Sequence, residues 1–318
     1  MENNNTKSRV WFLPDILGVE GIYPVVHGKF FGAFPALQER NFRLYFAGQF
    51  VSLIGSWMQR LALGWLVFEL THSAFWVGTI TAFSGLPVLA FALIGGIVVD
   101  RFPRKTVLFT TEVVSLVSAA VLGMLAITET VTILHIAIIA FILGTVDAFA
   151  MPARHALIAT MVEKGRLASA IALNSAVVNS SRIIGPSIGG ILIASVGVGY
   201  AFLFNAATYI AILISLLKIT IQFHTPEEHA RPLAAIRQGV SYAWQNSGIR
   251  FLLAYTVITT IFGWAFMAIM PVIAAQVFHA GPDGLGYLST AVGIGAVVSG
   301  ILVSALYHSV GSRTFIIG

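Results

Sequence analysis

Long apolar runs, broken at short intervals by polar residues, set the pattern of this chain. A helix needs about 20 residues at ~1.5 Å rise to cross a hydrocarbon core about 30 Å thick. Runs of that length are predicted as helices near 43–69, 75–99, 106–127, 131–152, 168–194, 199–218, 250–275 and 285–307, with a further one beginning near Thr314. None alternates in segments of about ten residues, as the strands of a membrane barrel do. The expected fold class is therefore an all-α polytopic membrane protein. Residues 1–40 are polar, then mixed, and contain Pro14, Pro24 and Pro35. They are read as an N-terminal cytoplasmic segment, disordered or lying on the membrane surface.

Composition sharpens this picture. The chain is 57% hydrophobic and 10% charged, whereas soluble domains run at about 45–50% and about 25%. A water-soluble globule is excluded. The net charge of +5 does not point to nucleic acid, because the basic residues sit in short connections between spans. Cysteine is absent, which removes disulfides and thiolate metal ligands. The first apolar run is broken at once by Pro14 and Asp15 and is not a signal peptide.

The connections also give an orientation. Those near 70–74, 128–130, 195–198 and 276–284 contain no Lys or Arg. The N-terminal segment and the connections at 100–105, 153–167, 219–249 and 308–313 hold nearly all of them. Only Arg60 and Arg182 fall well inside a predicted span. Basic connections stay in the cytoplasm, so the N-terminus is expected there and the location is a cell (plasma or inner) membrane. The long connection predicts a division into a six-helix bundle over 41–218, a cytoplasmic inter-bundle loop over 219–249 and a partial second bundle over 250–318. A weak repeat agrees with it: a shift of 208 residues lays Gly78 on Gly286, Gly85 on Gly293 and Lys105 on Arg313. His308 then falls where the first copy has Asp100. Parallel repeats of this kind occur in one transporter architecture.

Four charges crowd the turn between the second and third spans: Asp100, Arg101, Arg104 and Lys105, following Gly96. Anchoring in the cytosol would account for the bases but not for Asp100 at the helix end. Here the sequence resembles the major facilitator superfamily, whose loop at this place reads roughly G-x-x-x-D-R/K-x-G-R-R/K. Pro103 replaces the glycine. The resemblance implies that this turn latches two halves in the outward-facing state. Asp100 would then meet a helix end from the second half, and the bases would meet neighbouring acids.

A second stretch, Gly185-Pro186-x-x-Gly189-Gly190 in the fifth span, resembles the exporter motif of that superfamily and implies a role in closing the cytoplasmic entrance. As a plain reading, it is a packing seam of small residues. The segments from Phe34 onward, strongest through Leu217, look like the branch of enterobactin-type siderophore and drug exporters called transmembrane secretion effectors. That likeness implies twelve spans in a full member, so the chain is read as C-terminally truncated. It also implies an arginine within span four, which is missing there. Span four carries Asp147 instead.

An ionisable residue within a span is a functional candidate, because lipid excludes charge. Asp147 and Glu112 are the proton-coupling candidates. A carboxylate that alternates between an arginine and an apolar site can bind and release a proton. Asp147 is expected to pair with Arg182. Gln49, Ser52, Ser56 and Gln59 share one helix face, flanked by Arg60, and Ser175 and Asn179 share another with Arg182. Thr256, Thr259 and Met267, with Trp264 beside them, mark span seven. All of these are expected to line a water-filled cavity for a bulky, partly apolar substrate.

The eight histidines are scattered, and neither a metal site nor a cofactor is expected. No nucleophile–base pair, phosphate loop or HExxH occurs, so an enzyme is not expected. The resulting expectation is a secondary transporter and a monomer, exporting siderophores, drugs or similar amphipathic molecules against protons. The alternatives are an importer of small polar solutes, a non-transporting scaffold, or an intramembrane enzyme.

Overall fold

The computed structural model describes residues 34–220 and 241–306, without the side chains of 260, 261, 263–265 and 300–306. Expectations for 1–33, for 221–240, for His308, Arg313 and the span from Thr314, and for the Trp264 side chain lie outside these residues. The helices are α1 (Arg40–Thr71), α2 (Ala74–Arg101), α3 (Arg104–Ile127), α4 (Ile133–Met161), α5 (Leu167–Val196), α6 (Val198–Lys218), α7 (Ser247–Ala268) and α8 (Pro282–Leu306). The first six are each long and apolar enough to cross a membrane.

Their ends follow local chemistry. Thr132 and His135 form a reciprocal cap at the start of α4. The Asn246 side chain accepts from the backbone N–H groups of Gly248 and Ile249 at the start of α7. Between α5 and α6 stands a single residue, Gly197, at φ 96°. A side chain would be strained there, so glycine is what lets one helix turn straight into the next.

Helix α4 departs from the sequence expectation. Its predicted end near residue 152 coincides with Pro152, yet the helix continues to Met161. Proline is tolerated inside membrane helices because packed neighbours re-satisfy the carbonyl it frees. The consequence is that Arg154, expected in a connection, lies within a helix.

The helices pack in the sequence α2–α4–α3–α6–α1–α5–α8, an arc whose members meet along their lengths. Helices α1 and α4 touch little, and α4 and α5 less. Two apolar clusters hold the arc. One gathers Phe42, Tyr45, Leu108, Leu157, Ile212 and Leu216. The other gathers Leu66, Leu122, Ile136, Phe202, Met270 and Leu285. Between them runs a polar layer in which the buried Asn205 amide donates to Gln59, beside Thr208 and the close approach of Gly55. Outward faces carry large apolar side chains such as Phe75, Leu89, Leu134 and Leu217, as a bilayer solvent requires.

Several contacts are made by backbone rather than side chains. Gly95 abuts the Ala148 carbonyl and Gly144 abuts that of Ser84, joining α2 to α4. Gly190 of α5 lies on Gly286 of α8, where an added Cβ would stand 2.8 Å from the Gly286 Cα and 2.9 Å from the Pro282 oxygen. Gly96 is different, since a Cβ there would meet open space. Gly190→Leu should therefore lower the Tm of the purified protein, at about 1–3 kcal/mol for overpacking. Gly96→Ala should leave Tm unchanged or slightly raised, because it fills no occupied space and removes a helix glycine. A thermal melt followed by fluorescence-detected gel filtration checks both.

Candidate transport site

The polar face of α1 is where sequence and structure part. Gln49, Ser52 and Gln59 are buried. Gln59 bonds Asn205 of α6, and the Ser56 hydroxyl meets the Tyr209 hydroxyl of α6 at 3.3 Å. Gln59 and Ser56 thus meet α6, whereas Gln49 lies near Asn174 and Val177 of α5, and the face is buried rather than open. The helical spacing was legible. The neighbour was not, because a polar stripe can face either water or another helix's polar stripe. Tyr45 extends the same face by one turn, and Asn205 and Tyr209 answer it from α6.

The open polar surface lies instead where α4 stands away from the packed pair α1 and α5. Arg60 of α1 ion-pairs with Asp147 of α4 at 3.3 Å, their side chains 60% and 35% exposed. The expected partner for Asp147 was Arg182, and the structure corrects this. Arg182 stacks its guanidinium over the Trp57 ring at 5.1 Å. Arg60 stacks on the same ring at 4.9 Å. Arg60 and Trp57 sit three residues apart, one helical turn; Trp57 lies against Gly185 of α5, and the longer Arg60 side chain is the one that reaches α4. On α5 the stripe continues with Ser175 and Asn179, both exposed, the Asn179 amide donating to the Ser175 carbonyl.

A second ion pair is buried. Arg154 Nη2 donates to Glu112 Oε1 at 3.0 Å, with side-chain exposures of 22% and 1%. Helix α3 supplies the acid and α4 the base. Glu112 was thus placed within a span correctly, but away from Asp147's partner and with a base of its own. The Arg154 Nε, the other Glu112 oxygen and the Tyr45 hydroxyl have no hydrogen-bond partner among the described residues. Tyr45, Tyr209 and Asp147 all lie within electrostatic reach of this pair. Arg154 lies in the connection expected over 153–167, two residues past the predicted end of the span, and the helix runs on through it to Met161. Its spacing of seven from Asp147 puts both on one face of α4, a signal that was present.

The charged turn between α2 and α3 does two things. Arg104 donates to the Ala156 carbonyl of α4 at 3.2 Å. Lys105 donates to the Ile219 carbonyl, just past the end of α6, at 2.7 Å. These bases hold backbone oxygens rather than the acids expected for them. A cation is favourable at a helix C-terminus, by about 0.3–1 kcal/mol. Asp100 and Arg101 stay exposed.

The Gly-Pro-Gly-Gly stretch of α5 is a two-sided seam. Gly185 presses on the Ile54 carbonyl and the Trp57 Cβ of α1, and Gly189 on Met58. Gly190 presses on α8. Pro186 is buried between them. On α7, Thr256 and Thr259 are exposed and turn their hydroxyls to their own helix, and Met267 is half-buried.

A bundle with six helices long and apolar enough to span a bilayer, ion pairs within them and glycine seams between them is that of a polytopic membrane protein. The family model described as Transmembrane secretion effector matches residues 31–318, and the chain belongs to that family of major facilitator transporters. Among its curated relatives is the Staphyloferrin A transporter of Staphylococcus aureus, 25% identical over 85% of this chain and 68% of that protein. The Enterobactin exporter EntS of Shigella flexneri is 25% identical over 84% of this chain and 63% of that protein. An uncharacterized MFS-type transporter, YfiS of Bacillus subtilis, is 25% identical over 62% of this chain and 47% of that protein. The chain thus spans between about half and two thirds of the length of these relatives. The relatives are transporters rather than enzymes.

Removing one member of a buried ion pair strands the other, at about 3–5 kcal/mol, whereas replacing both by apolar groups is often neutral. Arg154→Met should therefore destabilise the protein strongly. Glu112→Gln should do so less, because the amide still offers an acceptor. The double variant Glu112→Leu with Arg154→Met should recover most of the Tm lost in Arg154→Met.

Proposed function

We propose that this protein is a proton-coupled exporter of amphipathic small molecules of the siderophore and drug kind, working by alternating access between two helical bundles. The N-terminus then lies in the cytoplasm, α1–α6 form one bundle, α7 and α8 begin the other, and the protein works as a monomer. Family membership and the siderophore-handling relatives support the cargo class. The observation that carries the coupling is the Glu112–Arg154 pair. It places a carboxylate at 1% exposure against one guanidinium, with its second oxygen unpartnered among the described residues.

In this mechanism Glu112 is ionised while Arg154 holds it. A shift of α3 against α4 that lengthens the contact leaves a carboxylate in an apolar setting, where the charged form is disfavoured and a proton binds. Closing the contact again expels the proton. The pair therefore converts a change in helix packing into proton uptake and release. Asp147, within reach of the same guanidinium, transmits the state of the cargo side. Gly96, Asp100 and Arg101 form the latch at the turn, while Arg104 and Lys105 fix that turn to α4 and α6. The Gly185–Gly190 seam closes the cytoplasmic entrance.

Efflux of a dye panel from energised vesicles, with and without a proton uncoupler, tests this reading. Uncoupler should abolish efflux. Glu112→Gln should reduce the uncoupler-sensitive rate at least tenfold with normal membrane insertion, and full uncoupler-sensitive efflux in that variant would remove Glu112 from the coupling.

Asp100→Asn should lose most transport while inserting normally. Turnover equal to the parent protein's would show that the turn is an anchor and no latch.

A further inference from the structure

Two guanidinium groups, from different helices, converge on one indole. Arg60 of α1 and Arg182 of α5 each lie about 5 Å from the Trp57 ring, and their charges repel across it. Gly185 makes the convergence possible. It lets α5 approach until it touches the Trp57 Cβ, and Arg182 is one turn before it.

The Arg60 fork is only partly used. It gives Asp147 a single contact, Nη2 to Oδ2 at 3.3 Å. A tight guanidinium–carboxylate bond is about 2.7–2.9 Å and often bidentate. Arg60 is also 60% exposed. A planar carboxylate matches the fork of a guanidinium better than this one long contact does. Asp147 thus serves as a loose resident counter-ion. The surface beside it is polar and open, with Ser175 and Asn179 exposed along α5.

We propose that Arg60, Trp57 and Arg182 form a binding site for carboxylate groups of the cargo, with Asp147 as the built-in anion that the cargo displaces from Arg60. This rests on the transporter reading above and narrows its cargo to organic polycarboxylates. Trp57 acts as the spacer that holds the two guanidiniums at a fixed separation, so a cargo with two carboxylates engages both. Displacement leaves Asp147 without its partner and makes the presence of cargo felt at Arg154, toward which Asp147 also exerts its charge.

The test is equilibrium binding to the purified full chain in detergent, by calorimetry, with benzene-1,3-dicarboxylate as probe. Its neutral diamide and the cation tetraphenylphosphonium serve as controls. Saturable binding of the dicarboxylate is expected, with at least tenfold weaker binding of the diamide. Arg60→Gln and Arg182→Gln should each weaken the dicarboxylate at least tenfold, and Arg60→Lys by less. Asp147→Asn should tighten it several-fold, because the competing carboxylate is gone. That gain of affinity is a result no misfolded variant can produce.

Absence of saturable dicarboxylate binding would overturn the site, as would equal affinity for the diamide, preference for the cation, or weakening by Asp147→Asn. The readout needs no transport. Uncoupler-sensitive dye efflux without dicarboxylate binding would refute this site and leave the exporter reading intact. Dicarboxylate binding without such efflux would do the reverse.

Discussion

A carboxylate and a guanidinium buried side by side are the constraint on which the bundle turns. Taking either ion alone out of water costs several kcal/mol after relaxation, so Glu112 and Arg154 must arrive together. Helix α3 and helix α4 are therefore set against each other by charge as much as by shape. Tyr45 and Tyr209 crowd the same region from α1 and α6, and the buried polar stripe of α1 follows from there. The apolar clusters on either side supply the bulk of the packing. The ion pair adds a charged contact between α3 and α4 within that packing.

Helix α4 carries Asp147 two turns before Arg154, which brings it to Arg60. Helix α1 carries Arg60 one turn from Trp57. Gly185 draws α5 in until Arg182 reaches the same indole. Four groups from three helices, Arg60 and Trp57 of α1, Asp147 of α4 and Arg182 of α5, thus meet where α4 otherwise hardly touches α1 and α5. The two kinds of charge differ in setting: the Glu112–Arg154 pair joins α3 to α4 within the packing, and the Arg60–Asp147 pair lies half-exposed at the open polar surface.

Much of this was legible in the sequence. Apolar run length pointed to the eight long helices among the described residues, because lipid admits little else. The glycines of α5 were recognisable by spacing, and Asp147, Glu112, Arg60 and Arg182 by their rarity in oily surroundings. Partner choice was not legible. Which arginine meets Asp147 depends on the rotation of α1 about its axis, and that rotation is set by α6 through Asn205, Thr208 and Tyr209. Arg154 was hidden for a different reason. Pro152 reads as a stop in water and as an ordinary residue within a packed membrane helix. The polar face of α1 was found as a face and misjudged as a surface, since burial against a second polar helix leaves the same periodicity.

The crossing of α5 and α8 carries one more implication. At Gly190 and Gly286 two bare main chains meet, with no knob on either side to seat in a hole. Dispersion between them resists separation. About a turn away the Ser187 and Thr290 hydroxyls meet at 2.7 Å, and the Ile183 side chain lies against Gly293. The bare crossing is thus pinned on one side, which ties any change of its angle to the breaking of that hydroxyl contact.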